Sequence, residues 1–335
     1  MVYYREKMEV EALETLSGAS NWKLTVRREA GSVAILRAET CDRRAVLPDT
    51  LFGLPVTALE GHALAPNRAA PEGEAVLISC GGGGEWDNRQ LQDLTFPPFL
   101  ERVGDYALLN CSNLKTLRLH DGVDRWGGGA LMNCRCLDTL HIVRTASGEG
   151  ETVAYFAGEL SRELDITLAG PDGEMVRLLF PEYTEIYEEN CPAHHFDYQI
   201  TGAGYPYHHC FRQKQLRMKE YDALWRGFLG MEHDGFTALR LAWYRLRYPS
   251  ELAENAAAQY LAYIRDHAGE AMQWLLTEND TEGLRFLLAN TEPDRTQFLQ
   301  ACGLARERQA TAALAVLLEE QRRRFPSGLE KSFDL

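Results

Sequence analysis

Apolar residues in the first half of the chain recur at a fixed long spacing. Segments beginning at Leu91, Leu114 and Leu137 read LQDLTFPPFLERVGDYALLNCSN, LKTLRLHDGVDRWGGGALMNCRC and LDTLHIV, an ungapped offset of 23 residues. Leu94, Leu117 and Leu140 fall in register, as do Phe96, Leu119 and Ile142. So do Val103 with Trp126, Gly104 with Gly127, Ala107-Leu108 with Ala130-Leu131, and Asn110-Cys111 with Asn133-Cys134. The L-x-x-L-x-L spacing puts apolar side chains on one side of a short strand and at the turn entering it. One unit is too small to bury its own leucines, so successive units must stack into a continuous core. The Ala-Leu pair predicts a short helical return. The Asn-Cys pair predicts a turn with an inward amide satisfying backbone groups and a thiol filling space; a redox or metal role for the two cysteines is the competing reading.

The pattern weakens on either side. Leu54 to Leu64 resembles the half-repeat Leu100 to Leu108, with Ala63 matching Ala107. Trp22–Val26 and Val33–Ala38 read as a hairpin capping the open end of the stack. Residues 66–90 break the register, with a strand-like run at Ala75–Ser79 and the glycines Gly81–Gly84, and read as a protruding loop. That glycine run lacks the Lys-Ser/Thr of a phosphate loop. Beyond Val143, Asp165–Ala169 and Glu174–Phe180 flank Gly170-Pro171-Asp172-Gly173, a hairpin signal that closes the second end. Residues 181–212 read as an ordered connector. From Gln213 the chain turns helical, with segments at Tyr221–Leu229, Gly235–Arg247, Leu252–His267, Ala271–Leu276, Glu282–Leu288, Arg295–Ala305 and Ala310–Arg324; Pro293 is expected in a first turn. Leu284-x-x-Leu287-Leu288 recurs thirty residues on as Leu314-x-x-Leu317-Leu318.

Charge and composition narrow the function. The chain has 335 residues and a formal net charge of −14, which argues against a nucleic-acid footprint. No window of about 18 uninterrupted apolar residues exists, so no membrane span is expected. Residues 1–10 carry charges where a signal peptide needs an apolar stretch, which predicts a cytoplasmic protein; removal of an upstream segment would reopen a surface or secreted location. Eight cysteines in a chain this long do not make a disulfide framework, and reduced thiols are expected.

Two constellations could carry function. Under the 23-residue register the outward residues of successive strands form rows: Asp93, Thr116 and Thr139; Thr95, Arg118 and His141; Pro97, His120 and Val143. Asp93, Thr95, Thr116, Arg118, His120 and His141 are the candidate binding residues on the concave face, because they offer directed hydrogen bonds and Arg anchors interfaces. The second is Cys191-Pro192-Ala193-His194-His195 followed by His208-His209-Cys210. Cys191, His194, His208 and Cys210 could hold a tetrahedral zinc. Packing among Tyr198, Tyr205 and Tyr207, or a hydrolytic or redox site, are the other readings of the same block. No signature of a hydrolase, zinc protease or dinucleotide site is present. An enzyme is therefore the second choice, and no cofactor is expected.

The unit ending in A-L-x-N-C, with the lead-in Leu47-Pro48 and Gly53-Leu54-Pro55-Val56-Thr57, resembles the BspA-like (Treponema-type) leucine-rich repeat family over about Trp22 to Val143. The resemblance implies a bacterial protein with a short curved solenoid used for protein–protein contact. The helical segments are weakly similar to ankyrin-type pairs. The expected fold class is α+β: a short leucine-rich repeat solenoid with β-hairpin caps, followed by an all-α helical-pair domain. The expected domains are 1–145, a cap and connector at 146–212, and 213–335. The expected function is a scaffold binding a protein partner.

Overall fold

A computed structural model describes residues 14–145, 151–190 and 195–325. The chain divides into two compact units, Met1–Arg217 and Met218–Leu335.

The first unit is a solenoid in which the chain alternates between two sheets. β1 (Glu14–Ser17), β2 (Trp22–Glu29) and β3 (Ser32–Glu39) belong to the first sheet, and β2 and β3 form an antiparallel hairpin. β4 (Arg44–Val46) starts the second sheet, and β5 (Thr50–Leu51) and β6 (Leu54–Leu59) return to the first. β7 (Glu74–Ser79) adds to the first sheet beside β2 and β1. Three coils then follow: β8 (Asp93–Thr95) to β9 (Arg102–Val103), β10 (Thr116–His120) to β11 (Arg125–Trp126), and β12 (Thr139–Val143) to helix α1 (Glu151–Glu159). β13 (Leu164–Ala169) extends the second sheet, and β14 (Met175–Phe180) closes it antiparallel. The second sheet runs β14-β13-β12-β10-β8-β4.

The 23-residue offset is the strand register itself. Leu94 pairs with Leu117 and Leu117 with Leu140, and Leu91, Leu94, Leu114, Leu117, Leu137 and Leu140 are all 0% exposed. Stacking supplies the burial that one unit lacks. After β11 a strand would repeat the pattern, but α1 stands there instead. Val153, Phe156 and Ala157 on one helix face are buried, and Tyr155 stacks on Trp126 with ring centroids 4.4 Å apart. A helix covering the terminal strand removes an edge that could recruit other chains.

Four local expectations need correction. The Ala-Leu returns are turns, not helix: Tyr106 and Asn110, and Gly129 and Asn133, have φ of 55° to 63°, in the left-handed region. Alternate N–H groups bond to the neighbouring coil, as in Leu108 N to Ala130 O at 2.9 Å and Asn110 N to Met132 O at 3.0 Å, and those between make tight turn bonds such as Leu109 N to Tyr106 O at 3.0 Å, so the continuous ladder of a helix does not form. Asn110 and Asn133 are exposed, and Asn133 Nδ2 donates to Asn110 Oδ1 at 2.8 Å. The inward amide is Asn88, 1% exposed, which donates to Ala38 O and Leu64 O at 2.8 Å each. The strand-like run at Ala75–Ser79 is β7, but it pairs into the first sheet beside β2 and so does not belong to a protruding loop. Pro97 is buried, so it does not belong to an outward row.

The connector region holds the hairpin β15 (Thr184–Asn190) and β16 (His195–Thr201), a short helix α2 (Tyr205–His208), and the hairpin β17 (Phe211–Arg212) and β18 (Gln215–Leu216). The second unit contains α3 (Met218–Ala223), α4 (Trp225–Leu229), α5 (Gly235–Arg247), α6 (Glu254–Asp266), α7 (Ala268–Thr277), α8 (Thr281–Asn290), α9 (Arg295–Glu307) and α10 (Thr311–Arg324). Asp294 caps α9 with a capping box to Gln297, so Pro293 precedes the cap instead of entering the first turn. The thirty-residue recurrence corresponds to equivalent turns. Asn279 and Gln309 both take left-handed φ, and Asp280 N and Ala310 N reach back to Leu275 O and Ala305 O at 2.9 Å each.

Candidate functional site

The second sheet has an inner leucine face and an outer polar face, since alternate residues of a strand point opposite ways. The first outer row is Arg44, Asp93, Thr116, Thr139 and Asp165, and the second is Val46, Thr95, Arg118, His141, Thr167 and Arg177. His120 pairs with Val143 in a third row. The pairing thus brings together Asp93, Thr95, Thr116, Arg118, His120 and His141. Arg44, Val46, Asp165, Thr167 and Arg177 on the flanking strands also belong to the face. Their strands lie outside the 23-residue register, so the sequence located the hairpin carrying Asp165, Thr167 and Arg177 as a cap without aligning it to the rows of the repeat.

Arg118 lies on an inner strand of the six and its side chain is 47% exposed. Its guanidinium is 4.0 Å from Asp93, which Arg44 also approaches to 3.3 Å. Arg177 makes a two-pronged pair with Asp165 at 2.9 and 2.7 Å. Burial, then the positive charge of Arg118, lowers the His141 pKa below the usual imidazole value, with Asp165 opposing. His141 is therefore neutral at neutral pH, able to donate from one nitrogen and accept at the other. His120 is half-buried and its Nδ1 has no partner among the described residues. Neither histidine is the open surface group its outward strand position suggests.

The Cys/His block looks different in three dimensions. Cys191 and His194 lie outside the described residues. His208 is 2% exposed, with Nδ1 2.9 Å from Ala157 O and Nε2 3.0 Å from Pro181 O. Cys210 Sγ donates to Tyr207 O at 2.9 Å. A neutral imidazole donates to only one of these carbonyls, and the lone pair on the other nitrogen is closed off by the carbonyl oxygen facing it, so no metal fits against the ring in this arrangement. No group of three or more His, Cys, Asp or Glu among the described residues is placed to hold one.

Cys111 and Cys134 are packing groups. Their thiols point at Leu64 O at 3.5 Å and Leu108 O at 3.3 Å, each on the preceding coil. Burial pushes the Cys111 pKa well up and that of Cys134 to about 12, so neither is a thiolate at neutral pH. Among the described residues, no helix is long and apolar enough to cross a membrane.

No protein-family model matches the chain, and no curated protein matches it. Among solved structures it is similar to a leucine-rich cell surface protein from Faecalibacterium prausnitzii, at 17% identity and a TM-score of 0.27. The match covers 47% of this chain and 42% of the other. The chain thus spans under half the length of that protein, and the leucine-rich solenoid itself rests on the strand register described above.

Proposed function

We propose that the protein is an interaction scaffold that binds a protein partner across the outer face of its leucine sheet, with Arg118 near the contact centre. The observation that carries this reading is the alignment of Asp93, Thr95, Thr116, Arg118 and His141 on adjacent strands, flanked by Arg44 and by the Asp165–Arg177 pair. A rigid sheet holds these donors and acceptors at fixed spacing, which lowers the ordering cost of binding. Arg118 is engaged only at 4.0 Å, so its planar fork remains open to a carboxylate or carbonyl of a partner. The resemblance to BspA-like repeats points to the same kind of use. The paired helices α7–α8 and α9–α10 would add an ankyrin-like module to the scaffold.

A pull-down from the native host identifies the partner, and the double variant Arg118→Ala with His141→Ala then tests the face. Binding should weaken at least about tenfold, or roughly 1.4 kcal/mol, while the melting temperature stays near that of the parent. Unchanged affinity with intact folding would move the binding surface off this sheet.

A further inference from the structure

A second concavity lies at the end of the first sheet, away from the leucine face. Its floor is a row of glycines, Gly61, Gly104 and Gly127, one from each of three successive coils. A Cβ at Gly104 would lie 2.5 Å from Gly61 N, and one at Gly127 would collide with Asp105 N. The coils therefore close up at backbone distance, and beside this row lies a cleft of about 730 Å³. Its walls come from β11, α1 and Lys214 in the turn between β17 and β18.

Three side-chain polar atoms in these walls are buried without a partner among the described residues: Trp126 Nε1, Thr152 Oγ1 and Tyr155 Oη. Thr152 is 2% exposed. All three belong to the lining of this one cleft. Buried polar atoms are normally paired, and such a concentration marks a place where a partner is supplied from outside. Burial raises the Tyr155 pKa, so its phenol keeps the proton it would donate.

The charged groups around the cleft are already matched. Glu60 accepts from Arg102 at 2.9 Å, Glu151 from Lys214 at 2.7 Å, and Asp105 from Gly128 N at 2.7 Å; Asp124 is 3.5 Å from Arg125. An ionic ligand would have to break one of these pairs. A wholly apolar ligand would leave both hydroxyls unpaired. A neutral ligand with adjacent hydroxyls fits both constraints, because each hydroxyl donates and accepts against a carboxylate and a cation held side by side. The volume falls within the range of about 300–1,000 Å³ usual for small-ligand sites and holds a short saccharide.

We propose that the cleft between the glycine row and α1 binds a neutral sugar. Small side-chain rotations turn Thr152 and Tyr155 from the wall toward the ligand and supply the hydrogen bonds they lack. The test is calorimetric titration of the full chain with maltotriose, cellotriose and triacetylchitotriose, and separately with the same trisaccharides carried on a protein. Saturable binding of one of them with a dissociation constant below about 10 mM is expected. Binding in both arms would assign the site to a free saccharide, and binding only in the second to a glycoconjugate. In Thr152→Val with Tyr155→Phe, which keep shape and remove the two hydroxyls, that affinity should fall at least about tenfold with the melting temperature unchanged or raised. No saturable response to any probe in either arm would overturn the proposal. So would a double variant that binds as well as its parent.

Discussion

His208 sits with both ring nitrogens against carbonyls, at 2.9 and 3.0 Å, in a site where it is 2% exposed. Burial lowers its pKa, and the hydrogen bonds to Ala157 and Pro181 oppose that without reversing it. A group depressed in the fold contributes stability that is complete above its unfolded value near 6.5 and is lost as pH falls through the folded value beneath it. His141 is depressed in the same direction. Stability measured by chemical denaturation should therefore decline as pH falls below about 6.5, and more gently in His208→Gln. Equal slopes for variant and parent would remove His208 from the account. The histidines also mark the limit of legibility at this scale. Periodicity put His120 and His141 on outward positions correctly, but their neighbours on other strands decide how far they are buried. Likewise the motif Asn-Cys located the turn, while its amide faces solvent and Asn88, outside the motif, does the inward bonding.

Coil spacing is an element-scale property, and glycine sets it. Gly127 takes its place in the stack because any side chain there would strike the Asp105 backbone of the coil before it. Gly128, one residue on, has its nearest neighbour at an ordinary 3.8 Å from a built Cβ. Gly127→Ala should thus cost about 1–3 kcal/mol, as overpacking does, and Gly128→Ala should be close to neutral. Denaturation midpoints of the two variants decide this, and equal midpoints would show that the coils are not in backbone contact there. The same closeness explains why the returns are turns. With every other N–H bonding from coil to coil, the unbroken bond ladder of a helix cannot form. At α1, after the last strand of the first sheet, a helix stands where the next strand would, and its first turns carry the Tyr155 and Phe156 rings onto Trp126.

At the scale of the whole molecule there are two cores with different physics. The solenoid core is a stack of apolar residues; Leu117, 0% exposed, is in the middle of it. The helical unit includes a buried polar cluster in which Arg245, with a side chain 0% exposed, donates to Asp222 at 2.7 and 2.9 Å while Tyr260 donates to the same carboxylate at 2.9 Å. Leu117→Asp places a charge in the first core and should cost several kcal/mol, read as loss of sheet signal at lower denaturant. Asp222→Asn strands the guanidinium of Arg245 and should cost about 3–5 kcal/mol, read in the helical signal. A parent-like transition in the first variant would contradict the repeat register. In the second it would mean that Arg245 is satisfied without the carboxylate.

The sequence by itself determined the solenoid, because a 23-residue repeat whose units cannot bury their own leucines has to stack, and stacking fixes the register from Asp93–Thr116 through Arg118–His141. It also determined the helical second half, through the helical segments from Gln213 onward and the thirty-residue recurrence of the leucine triplets. The tertiary structure decided what lies beside that register. Arg44 and Arg177 join the polar face through strands that do not share the repeat, since strand pairing depends on where the chain returns in space and leaves no fixed spacing in the sequence. The glycine-floored cleft is legible only in part for the same reason. Gly104 and Gly127 repeat in the sequence, but Gly61, Thr152 and Tyr155 reach it from other coils and from α1.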